Sequence, residues 1–162
     1  MKQGHMDGRT LTTRKRALNV CAAWPLLPMS DGSATGIYQQ VADTTGIVFV
    51  RYGPEDTVEH YVGRLGGMLT QVTVVSDTPA VVSGQTARRV TIRIVALPRE
   101  AYDGDTRHGV THRTVPEERT LITVLAFSHR GYPVLAGYRM PEEWLDRYRE
   151  TLEASLGSIS LT

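Results

Sequence analysis

The chain has 162 residues, enough for one compact domain and too few for two of ordinary size. Its 41% hydrophobic and 22% charged residues are a globular balance that argues against a disordered, fibrous or membrane-spanning chain. Eighteen Lys and Arg against 17 Asp and Glu leave a net charge of +1, which supplies no general field for nucleic acid, and one cysteine makes neither an internal disulfide nor a thiolate zinc cage.

Met1-Lys2-Gln3-Gly4-His5-Met6 reads as a vector remnant, since Gln-Gly is what a protease site leaves and His-Met is what a cloning site encodes. Residues 7–162 are then expected to form a single α+β domain. Arg14-Lys15-Arg16 followed by the apolar residues 17–27 mimics a secretory leader, but Asn19, Trp24 and Pro25 interrupt it and no small-x-small cleavage site follows. The expected compartment is cytoplasmic, or exported if a natural leader has been removed. Cys21, after Val20 and before Ala22, reads as a buried thiol in a first strand.

Strands are expected over 16–24 and 36–41, and most firmly over 46–52, where β-branched and aromatic residues lie between glycines. A helix should follow Gly53-Pro54-Glu55-Asp56, with proline and acids at its positive end. Val58, Tyr61, Val62, Leu65, Met68 and Leu69 form its apolar stripe, while Gly63, Gly66 and Gly67 weaken it and suggest close packing on a sheet. Residues 72–75 and 77–84 read as a strand and a turn segment, and 87–97 as a long strand whose Val90, Ile92 and Ile94 alternate with Arg89, Thr91 and Arg93. Residues 98–118 lack apolar period and read as a long loop or the tip of an extended hairpin. A hairpin around Ser128-His129-Arg130-Gly131 precedes a final helix opened by Pro141-Glu142-Glu143 and closed at Gly157, with Trp144, Leu145, Tyr148, Leu152 and Leu156 on one face. Ile159 and Leu161 suit a short edge segment.

No catalytic signature emerges. His108 and His112 with Asp103 and Asp105 are the only grouped metal-ligand types, but a four-residue spacing aligns two histidines only on a helix, and glycines argue against one. His60 and His129 lack a Gly-x-Ser-x-Gly elbow to supply a nucleophile, and neither phosphate-binding glycine motif occurs. Glu117-Glu118 read as solvated, and Glu142-Glu143 as companions of a helix N-terminus. Arg88, Arg89, Arg93 and Arg99 make a basic stretch, with Arg89 and Arg93 on one face; they either grip an acidic partner or lie on a solvated sheet face. Trp144, Tyr148 and Tyr138 read as core anchors by default, with the lip of a groove as the alternative for an aromatic at a helix start.

The order of elements, with Val82-Ser83-Gly84-Gln85-Thr86-Ala87-Arg88-Arg89-Val90 at its centre and Leu156-Gly157-Ser158-Ile159 after the last helix, resembles the PsbP-like α/β/α sandwich over residues 17–161. That superfamily includes the extrinsic subunit of photosystem II, a fungal Ran-binding import factor and bacterial DcrB-like proteins, among them chaperones of type VI secretion effectors. The resemblance implies an antiparallel sheet flanked by two main helices and a non-enzymatic adaptor or chaperone that binds another protein. It carries over no functional residue, and it implies no cofactor. The residues expected to anchor a partner are Arg89, Arg93, Tyr102, Arg107 and Tyr132. Association as a homodimer is left open. The alternative is a small-molecule-binding or hydrolytic helix-grip domain, whose sheet would wrap the last helix around a cavity. Against it, Asp146, Arg147, Arg149, Glu150 and Glu153 leave that helix one dry face.

Overall fold

A computed structural model describes residues 9–12, 18–22, 28–30, 36–41, 44–105, 109–129 and 131–161. In chain order the elements are β1 (Arg9–Thr12), β2 (Leu18–Ala22), β3 (Pro28–Ser30), β4 (Gly36–Gln40), β5 (Ile47–Tyr52), α1 (Val58–Leu65), β6 (Thr70–Val82), β7 (Gln85–Ala96), β8 (Arg99–Asp105), β9 (Gly109–Val115), β10 (Glu118–His129), β11 (Tyr132–Pro141), α2 (Glu142–Gly157) and β12 (Ser160–Leu161). Seven strands form one antiparallel sheet in the order β3-β4-β5-β11-β10-β7-β6. Strands β1, β2 and β12 form a small second sheet, and β8 and β9 a two-stranded ribbon.

Period-two alternation buries both faces of the large sheet. On one face Val48, Val50, Leu125, Phe127, Val134, Ala136, Tyr138 and Met140 pack under Leu145, Leu152 and Leu156 of α2. On the other Phe49, Val90, Ile92, Ile94, Ile122, Val124 and Leu135 pack under Val58 of α1, with Tyr61, Val62 and Leu65 partly buried beside them. This is the expected α+β sandwich of helix, sheet and helix. The sheet does not wrap α2 as a helix-grip would, because each face has its own helix and its own core. Gly137 lies where β11 runs so close beside β10 that a Cβ would collide with the Thr123 carbonyl oxygen.

Three expectations are corrected. The first helix is shorter than its stripe: residues 53–56 form a turn, and Asp56, 3% exposed, pairs with Arg51 at 2.9 Å instead of sitting in the first helical turn. Thr57 is the cap, its hydroxyl oxygen accepting from the His60 amide at 3.2 Å. Gly66 turns to an extended conformation and ends the helix, leaving Met68 and Leu69 exposed in the turn to β6. The helix glycines do not mark a close approach, since a Cβ at Gly63 or Gly66 would meet open space. Finally, the two segments read within 72–84 are a single strand, kinked by a bulge between Val74 and Ser76.

Residues 98–118 take the hairpin form of their two expected alternatives. The ladder of β7 and β10 ends at Ala96 and Glu118 and resumes as β8 and β9 from Arg99 and Val115, so the ribbon projects as an arm from the middle of the sheet. The readings made for residues 1–6 and for the basic run 14–16 lie outside the described residues, as does His108. The Cys21 backbone lies in β2, but its side chain is likewise outside them.

Candidate functional site

The arginine stretch of β7 divides between the two faces, as strand alternation requires. Arg88 points to the α1 side, where its guanidinium reaches Glu59 of α1 at 2.9 Å and Asp77 of β6 at 2.6 Å. Both carboxyls are held below their ordinary range, Glu59 first by backbone hydrogen bonding and then by Arg88, Asp77 chiefly by Arg88. Arg89 and Arg93 point to the α2 side. Arg93 donates to Glu142 at 2.6 Å, and Arg89 pairs with Glu153, which also accepts from the Tyr138 hydroxyl at 2.7 Å. Burial alone would raise the Glu153 carboxyl, but the hydrogen bonds from Arg89 and Tyr138 outweigh it and leave the group below its usual value. The face carrying Arg89 and Arg93 therefore lies partly under α2, with 35% and 41% of these side chains still exposed. Glu142 serves as a partner of β7 as well as a first-turn acid of the helix.

The five expected anchors do not converge. Arg89 and Arg93 fasten α2. Tyr102 stands on the arm, 69% exposed, its ring 5.0 Å from that of His112, which pairs with Glu100. Tyr132 lies at the β10–β11 hairpin, the opposite end of β10 from the arm. Arg107 lies outside the described residues. Neither histidine considered for catalysis is joined to a serine hydroxyl among the described residues: His60 lies 3.9 Å from Glu55, and the buried Nε2 of His129 has no hydrogen-bond partner there. Among the described residues no three His, Cys, Asp or Glu side chains gather to hold a metal, and no helix is long and apolar enough to cross a membrane.

What the structure does bring together is an open groove of about 1000 Å³ at the root of the arm. Its lining comes from the β4–β5 turn (Thr44, Ile47), the start of β10 (Glu118, Arg119) and the β11–α2 junction (Arg139, Trp144). Thr44 sets the turn: its buried hydroxyl donates to the Val41 carbonyl at 2.7 Å and accepts from the Gly46 amide at 2.9 Å. Trp144 is 39% exposed, so of its two readings the lip of a groove is the one observed, while Tyr138 is core and Tyr148 packs beside it. Arg119 pairs with Glu117 at 3.1 Å, and Glu142 is taken by Arg93. Among the described residues no carboxylate pairs with the half-buried Arg139, nor any cation with Glu118 or Glu143. Sequence reasoning missed Arg139 and the groove, because its walls come from three separate segments, residues 44–47, 116–120 and 139–144; an aromatic at the start of a helix was the one local signal.

No family model matches the sequence, and no curated protein is significantly similar to it. Among solved structures the chain is similar to cyanobacterial PsbP (CyanoP) from Synechocystis sp. PCC 6803, with a TM-score of 0.62 over 95% of this chain and 92% of that one, at 11% sequence identity. At that identity the likeness speaks for the fold, and the fold of this chain is PsbP-like.

Proposed function

We propose that this chain is a non-enzymatic protein-binding module, an adaptor or chaperone-like accessory protein, and that it receives its partner in the groove at the root of the arm. One observation carries the reading: a half-exposed Trp144 and an Arg139 without a carboxylate partner among the described residues line the same groove, and tryptophan and arginine are the residue types that most often anchor protein interfaces. The arm supports it, because Tyr102 adds a further exposed aromatic on a ribbon that springs from the groove's edge. Arg89 and Arg93 are already committed to α2, so their part in binding is to hold the helix that carries Trp144.

A photo-crosslinking residue placed at Trp144 or at Tyr102 tests this, with Val81 on the far hairpin as the control position. The expected result is one and the same protein attached at both test positions and absent at the control, with attachment at Tyr102 weakened at least about tenfold by Arg139→Ala. Attachment of nothing at either position, together with a small molecule retained by the protein in native mass spectrometry, would overturn the reading.

A further inference from the structure

The outer edge of β6 has no partner strand among the described residues, although β6 is the longest strand of the sheet at 13 residues. A strand edge is a row of unpaired amides and carbonyls, and proteins commonly blunt it with charge, proline or a bulge. Here the defences are uneven. Asp77 and Pro79 stand in the second half, beyond the bulge, whereas Thr70-Gln71-Val72-Thr73-Val74-Val75-Ser76 contains no charge and no proline. Val74 is 47% exposed and Val75 is similar.

Which groups face outward follows from the ladder. The Leu69 carbonyl accepts from the Leu97 amide at 2.8 Å, so Leu69, Gln71 and Thr73 direct their backbone groups toward β7. The Thr70 amide is used by Gly67, which leaves the amides of Val72 and Val74 directed away from the sheet. Two amides on alternate residues are the pattern an antiparallel strand exchanges with its own copy: Val72 of one chain faces Val74 of the other, and the two-fold axis passes through Thr73.

We propose that a second copy of this chain pairs with β6 in this register, making one continuous sheet from two. The choice of a second copy rests on self-complementarity. Around the axis Thr73 faces itself and Val72 faces Val74, so the paired stretch holds no charge; the bulge after Val74 ends that stretch, and Asp77 beyond it is already neutralised by Arg88. Val72 and Val74 of both chains share the α1 side, where Val72 already packs against the core, and together they form one apolar strip across the junction.

Sedimentation of the full chain from about 1 µM to about 1 mM spans the affinities of small interfaces. The expected mass rises from one chain to two. Val74→Lys, a surface change whose folding is checked by circular dichroism, should raise the midpoint concentration at least about tenfold. Thr73→Cys in a Cys21→Ser background should give a disulfide-linked dimer on mild oxidation. Trp144→Ala should leave association unchanged, because the groove and β6 are separate surfaces. A chain that stays single at every concentration overturns the proposal and leaves the edge to a strand from some other protein. Association that ignores Val74→Lys and gives no crosslink through Thr73→Cys overturns it equally.

Discussion

Glu153 shows how one residue decides what a surface is. Its carboxylate takes hydrogen bonds from Arg89 and Tyr138 and thereby fastens α2 to two strands, β7 and β11. Because its folded pKa lies below the unfolded value, the stability it contributes is fully present above the unfolded carboxyl's pKa of about 4.3 and is lost as pH falls through the lower folded value. Glu153→Gln is expected to cost about 1 kcal/mol near neutral pH, a figure discounted because both partners are about one-third exposed. Denaturant unfolding of the two proteins should differ by a constant amount from about pH 7 to about pH 5 and converge below about pH 4. A gap that widens in acid would contradict the assignment.

At the scale of elements, the arm is the part the fold can do without. A two-stranded ribbon is marginal alone, and among the described residues β8 and β9 make their extensive contacts only with each other. Replacing residues 98–116 with Asn-Gly should therefore change the unfolding free energy of the body by no more than about 1 kcal/mol, measured by denaturant titration, while abolishing crosslinking at the groove's edge. How far such elements could be read from sequence follows physical lines. Alternation in β7 and the stripe of α2 were legible because a single periodicity governs each. The end of α1 was not: Met68 and Leu69 continue its stripe, and only the Gly66 backbone shows that the helix has stopped. Period two also placed Arg89 and Arg93 on one face, yet whether that face is wet depends on which helix lies over it. The acids that answer them, Glu142 and Glu153, stand near the two ends of α2, and that matched spacing was the signal available. The groove was illegible for the same reason, since nothing local in Thr44, Arg119 or Arg139 says that they meet.

At the scale of the molecule, β10 and β11 lie inside the sheet with a helix-covered core on each side. Opening them requires the loss of both cores at once, so their amides should exchange at the rate set by global unfolding. Amides of β8 and β9 should exchange several orders of magnitude faster, through local opening of the ribbon alone. Hydrogen exchange followed by NMR reads both classes in one experiment; equal protection of arm and centre would mean that the ribbon docks on the body. The edge of β6 adds a concentration dependence, with the amides of Val72 and Val74 gaining protection as chains associate.

The arm's root carries a mechanical consequence. Between Ala96 and Arg99 on one side, and between Val115 and Glu118 on the other, the rungs joining the two long strands are missing; Leu97 turns its amide to Leu69 instead, and a proline stands in each gap at Pro98 and Pro116. With no rung tying the two strands there, the ribbon is expected to bend at this root before any rung of the sheet breaks, while each proline fixes one backbone angle of the join. Evolution can then lengthen, stiffen or re-tip the arm to suit a new partner while the body's stability stays where it was.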